Sequence, residues 1–169
     1  MAKPVSGTYP AFTEGYINRV QVDTVTEAIA EYGKPVTDFF YNLPQNKLHQ
    51  RYAPGKWNLK EVLQHVIDTE RILAYRALTL ARHDQTPLPG FNENAYAAAS
   101  NASARSWDSL LEEFEVTRRS GNLLLQSFNQ EQLSRSGITN NEPNTVNALG
   151  FIIFGHILHH INIINERYL

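Results

Sequence analysis

The chain has 169 residues, 42% of them hydrophobic and 19% charged, with a formal net charge of -2. That length suits one domain with a real core, and the mixed charges, without a basic block, exclude a nucleic-acid binder that relies on clustered Lys and Arg. No cysteine is present, so no disulfide, thiolate ligand or thiol nucleophile is available.

Residues 1–22 hold Pro4, Gly7, Pro10 and Gly15 without a clear period. They read as an arm laid over a domain or a frayed end, and residues 23–169 read as the domain itself. The first predicted helix begins at Thr24, which forms a capping-box pattern with Glu27. Ile29, Tyr32, Val36, Phe39, Phe40 and Leu43 then recur at helical spacing. Pro35 should kink this helix, because it lacks an N–H and crowds the preceding turn. Pro44 ends the pattern.

The second helix starts after the Pro54-Gly55 turn, with Asn58 and Glu61 as a cap pair. Residues 59–82 contain neither Gly nor Pro, and Leu59, Val62, Leu63, Val66, Leu73, Ala77 and Leu80 make one apolar stripe. A loop with Pro87, Pro89 and Gly90 follows. Residues 92–99 suggest a short helix capped by Asn92. The third long helix starts near Ser106, with Asp108 in its first turn, where the helix dipole favours negative charge. Trp107, Leu110, Leu111, Phe114, Thr117, Gly121, Leu124, Leu125 and Phe128 repeat close to a heptad.

The fourth runs from Asn144 or Thr145 to near the C-terminus and is apolar almost all round. It is either central in the bundle or lends a second face to a dimer. Its most apolar part, residues 151–164, is too short to span a bilayer and is interrupted by three His and one Asn. The start of the chain lacks a signal-peptide h-region. The sequence therefore reads as a soluble, cytoplasmic protein without a membrane partner. No strand pattern competes, so the economical reading is an all-α four-helix bundle.

Six histidines are present. His156 and His160 are four residues apart in the most apolar helix, so their rings leave one face about one turn apart. Unpaired imidazoles there are costly; two rings so placed can reach one ion, and imidazole suits Zn, Ni, Fe and Cu. The alternative is a pair of polar residues hydrogen-bonded on a partly exposed face. His65 supplies depth evidence. It lies roughly 10 Å into the second helix, and His160 roughly 13 Å from the far end of the fourth, at 1.5 Å per residue. All three rings share a level only if these helices run antiparallel.

His159 points about 100° away from His160 on the helical wheel, and His49 and His83 fall in connections. Three His leave an ion with open positions, as catalytic sites require. Protons should compete with such an ion near the free imidazole pKa of about 6.5.

Each ligating ring usually gives its other N–H to an oxygen. Asp68, one turn after His65, could serve, or could be a solvated acid. Glu61 is explained by capping. Arg76 could meet an anionic substrate; Arg71 fits a salt bridge better. Trp57 reads as a core anchor.

The run Tyr52-Ala-Pro-Gly-Lys-Trp57-Asn-Leu-Lys-Glu-Val-Leu-Gln-His65-Val-Ile-Asp68-Thr-Glu-Arg71 resembles the DinB/YfiT-like family of metalloenzymes. So do Leu88-Pro-Gly-Phe-Asn-Glu93 and Gly155-His156-Ile-Leu-His159-His160. The resemblance implies a bundle with up-down-down-up connectivity. It also implies a divalent metal on one His of the second helix and an H-x-x-x-H of the fourth, which match His65, His156 and His160. It implies a dimer in many members, and thiol transferases or a thiol-dependent isomerase among those with known activity. The ion (Zn, Ni, Fe or Mn) is left open.

Three functions follow. The first is a metal-dependent transferase that activates a low-molecular-weight thiol from a cosubstrate. The second is a metal-dependent hydrolase that uses bound water, helped by a general base such as Asp68; Asp68 and Arg76 are the candidate catalytic groups whichever reaction holds. The third is a non-catalytic, stress-induced metal-binding module.

Overall fold

The apolar stripes become four long helices in the computed structural model, which describes residues 1–169. They are α2 (Val25–Tyr41), α3 (Leu59–Ala81), α5 (Trp107–Gln126) and α7 (Val146–Arg167); short helices α1 (Glu14–Ile17), α4 (Glu93–Ala99) and α6 (Gln130–Ser134) fill the connections. The caps are the predicted ones. Thr24 with Glu27 and Asn58 with Glu61 form complete capping boxes, and Ser106, Asn92 and Thr145 accept from the first turns of α5, α4 and α7.

Contacts between named residues set the helix directions. Arg105, just before α5, meets Gln64 near the start of α3, and Arg71–Glu113 and Arg118–Glu70 join the two helices further along both, so they are parallel. The Tyr168 hydroxyl donates to the Trp57 carbonyl, and His156 and His160 meet His65, so α7 runs antiparallel to α3. Val25 packs on Gly150 and Tyr32 on Phe154, so α2 and α7 are parallel. The connectivity is up-down-down-up.

Helix α2 runs continuously across Pro35. Pro35 lies on the exposed face, where water can take the carbonyl that its missing N–H leaves free. One expectation needs correction: the chain is not purely helical. Strands β1 (Ser136–Thr139) and β2 (Glu142–Thr145) form an antiparallel hairpin. Asn140 and Asn141 both have positive φ, 54° and 64°, as a two-residue type I′ turn requires. Four-residue strands containing Gly137 and Pro143 give no alternating run to read. Tertiary contacts hold the hairpin instead: Leu88 N–H donates to the Ile138 carbonyl at 3.0 Å and Asn140 N–H to the Leu88 carbonyl at 2.8 Å.

α7 is long and apolar enough to cross a bilayer, so length alone does not argue against a span. Its place in the fold is central, with most of its residues buried inside the protein. Part of its cover comes from the N-terminal arm. Tyr9, Ile17 and Val20 are buried, and α1 crosses α7 so closely that a Cβ on Gly155 would stand 2.0 Å from the Tyr16 carbonyl oxygen.

Candidate metal centre

The antiparallel crossing of α3 and α7 brings His65 against His156 and His160. Their ligand nitrogens all lie within 4.8 Å of one another, and all three residues are buried. Val66 and Ile157 are buried beside them. His65 Nε2 is 3.0 Å from His156 Nε2, and His160 Nε2 is 3.1 Å from the same atom.

Hydrogen bonding within the trio accounts for only part of this convergence. Each imidazole nitrogen offers one in-plane position, either an N–H or a lone pair. A proton on or facing His156 Nε2 can bridge one of the two contacts, which leaves the other as a close nitrogen–nitrogen approach with no proton shared across it. A cation accepts all three lone pairs at once. Two imidazole nitrogens bound to one ion at about 2.0–2.1 Å stand about 3.0 Å apart at a right angle and about 3.4 Å at the tetrahedral angle. The two separations at His156 fall in that window and the third pair lies within 4.8 Å, so the residues fit a divalent ion.

Burial also sets the protonation state. It lowers the His65 pKa to about 4, with a smaller contribution from His159. His156 and His160 are held well below the usual imidazole range, first by burial and then by neighbouring histidines. All three are therefore neutral near pH 7, as ligands must be. The pH at which protons compete moves from near 6.5 toward 4.

The rings open into a cavity of about 320 Å³. The arm supplies Phe12, Thr13 and Tyr16; α3 and its approach supply Trp57, Thr69, Leu73 and Arg76; the loop before α4 and the first turn of α4 supply Phe91, Glu93 and Asn94; the hairpin supplies Thr139, Asn140 and Asn144. Gly90 lets the loop approach the hairpin, since a Cβ there would collide with the Asn140 side chain at 1.9 Å.

Other predicted residues take varied places. Asp68 accepts from Gln64 Nε2 at 2.9 Å and does not line the cavity. The oxygen at the far side of His65 is Thr69 Oγ1, 3.5 Å from Nδ1. Burial raises the Asp68 pKa against the opposing Gln64 bond and Arg71 charge. Arg71 pairs with Glu113, Arg51 with the capping Glu61, and Arg76 reaches the cavity. Trp57 is more than a core anchor, because its ring lies 4.7 Å from that of His65 and lines the cavity. His159 stays outside the nitrogen cluster but lines the cavity beside Tyr16, with ring centroids 5.4 Å apart. His49 and His83 are exposed.

The arm and hairpin contributions were missed in sequence. Tyr16 carries no local signal, and the Asn140-Asn141 pair is a weaker form of the Asn-Gly turn signature.

The family model of the DinB superfamily matches residues 35–164. A search of curated proteins finds no match. Among solved structures, the chain is similar to YfiT from Bacillus subtilis, described as a probable metal-dependent hydrolase with an unusual four-helix bundle topology. The match has a TM-score of 0.70 at 19% identity and covers 97% of this chain and 90% of that one.

Proposed function

This chain belongs to the DinB superfamily, and on that premise we propose that it is a metal-dependent enzyme that activates a small nucleophile at His65, His156 and His160. The observation that carries the reading is the meeting of three buried histidines whose two close Nε2 contacts one shared proton cannot both bridge. When bound there, a divalent ion would lower the pKa of a thiol or water in its open position. Thr69 would steady the His65 ring from its Nδ1 side, a role that normally fixes tautomer and orientation. Trp57 and Tyr16 wall the ligands and exclude water.

The preferred nucleophile is a low-molecular-weight thiol from a cosubstrate, transferred to a small electrophile. The chain has no cysteine of its own, and no acid among the cavity residues is buried: Glu93, the one carboxylate there, is exposed. The neighbouring structure's description favours the second reading, hydrolysis with water as nucleophile. To separate them, the protein is loaded with Zn, Ni, Mn or Fe. It is assayed with several thiols against monochlorobimane, and on a panel of esters and amides. Thiol transfer predicts turnover above background that is lost in His65→Ala. Turnover on an ester or amide alone replaces transfer with hydrolysis, and no turnover on either leaves a metal-binding module.

A further inference from the structure

Two arginines are buried, Arg76 and Arg118. Arg118 is neutralised by Glu70 at 2.9 Å. Arg76 forms no salt bridge, although it is only 8% exposed. Its one protein hydrogen bond runs from Nη2 to the Pro89 carbonyl at 2.6 Å. A guanidinium has five N–H donors, and none of those on Arg76 meets a carboxylate of the chain. A desolvated cation without a counter-charge is expensive to keep. Burial lowers its pKa from the ordinary arginine value, and no acid is near enough to oppose that.

Its position supplies the missing partner. His65, Thr69, Leu73 and Arg76 succeed one another along one face of α3, and all four line the same cavity. Arg76 is the one Lys or Arg among the lining residues, and the one acid there, Glu93, is exposed and makes no ion pair with it. Eleven residues correspond to about 16 Å along the helix axis. Helical side chains lean toward the N-terminus, here toward His65. The His65 ring leans the same way, but the longer arginine reaches back further, so the guanidinium stands on the order of 10–16 Å from the three nitrogens. The Pro89 carbonyl holds one edge of the fork, and Leu88 beside it is fastened to the hairpin. The guanidinium is thus held at the cavity wall with its remaining donors committed to no protein group.

We infer that Arg76 is the substrate-anchoring residue, and that the substrate is a small molecule carrying a carboxylate several bonds from the atom held at the three histidines. This rests on the metal-centre reading for the position of the other end of the molecule. A planar carboxylate suits the guanidinium fork, which can grip it with two parallel bonds.

The test uses the full chain loaded with Co(II), whose spectrum reports sulfur binding directly. 6-Mercaptohexanoate and 6-mercaptohexan-1-ol differ only in the distal group. The acid should bind about 10- to 100-fold tighter than the alcohol, the range for a charge-assisted bond. Arg76→Gln should erase that preference while leaving the alcohol's affinity and the cobalt spectrum unchanged. Arg76→Lys should keep part of it, and Arg82→Gln, an exposed control of equal charge change, should keep all of it. Equal binding of the two thiols to the unmutated protein, or an undiminished preference in Arg76→Gln, overturns the assignment.

If neither thiol gives a sulfur-to-cobalt band, the metal-centre reading fails separately. The anchor is then decided on metal-free protein by NMR. Hexanoate, and not hexan-1-ol, should shift the Arg76 Nε–H resonance saturably; no shift overturns it. Should Arg76→Gln fail to fold, the lysine variant and this resonance still decide.

Discussion

Five residues apart on α3, His65 and Glu70 each anchor a buried polar cluster, and the two clusters solve burial in opposite ways. Glu70 meets Arg118 of α5 at 2.9 Å, and that guanidinium lies 4.5 Å over the Phe154 ring of α7. Opposite charges and a cation–π contact compensate each other within the chain. Burial raises the Glu70 pKa, and the Arg118 charge and hydrogen bond oppose it. One oxygen of Glu70 and Nε of Arg118 still lack partners, so the compensation is incomplete but internal. His65, His156 and His160 have no such internal solution, because three like groups with depressed pKa values face one another. A cluster that closes on itself holds helices together, whereas one that needs an outside partner marks a site.

The largest expected effect separates the two clusters by metal content. His156→Ala should reduce bound divalent metal by at least about 100-fold, since three-coordinate protein sites lose most affinity with one ligand. The same substitution should not lower, and can raise, the melting temperature of metal-free protein. Elemental analysis and calorimetry on the same sample check both. Full metal retention would remove the distinction between the clusters.

Arg118→Met is the reciprocal experiment. It leaves Glu70 buried and unpaired and should cost about 3–5 kcal/mol of stability, read by urea denaturation, with metal content unchanged in the folded fraction. The double change Glu70→Leu with Arg118→Met should recover much of that loss. Failure to recover would mean that the pair acts through something other than charge.

Next comes the arm. Gly155→Ala pushes a methyl into the Tyr16 carbonyl and should cost about 1–3 kcal/mol as overpacking. It should loosen α1 over His156, visible as faster amide exchange in residues 14–17.

The pH response sharpens the comparison further. Unfolded histidine binds a proton near pH 6.5, whereas folded metal-free His65 resists until about 4. The unfolded chain therefore takes up protons first as pH falls. Metal-free stability should be fully present above about pH 6.5 and decline toward pH 4, by up to about 1.4 kcal/mol per unit for each histidine. Metal affinity of the folded protein should fall mainly toward pH 4, not near 6.5. A steep loss of affinity between pH 7 and 6 would show that the site protonates as if exposed.

The smallest effect belongs to His159. It touches the cavity without joining the nitrogen cluster, so His159→Ala should leave metal content unchanged.

The sequence by itself determined the four helices, their caps and the three converging histidines, because these are local signals. Helical period, capping chemistry and an i,i+4 pair are all written within a few residues. The depth of His65 relative to His156 and His160 also followed from counting rise, once an antiparallel crossing was assumed. Only the tertiary structure decided the rest. Asp68, three residues from His65, accepts from Gln64, whose own side-chain oxygen is held by Arg105 just before α5. The hairpin formed from two short segments without alternation, since Leu80 and Leu88 supplied its contacts from elsewhere. Tyr16 of the arm reached His156 of the last helix. Arg76 became a buried cation without a carboxylate partner. Each of these depends on a neighbour distant in sequence, and pairing between distant residues leaves no periodic trace in either segment.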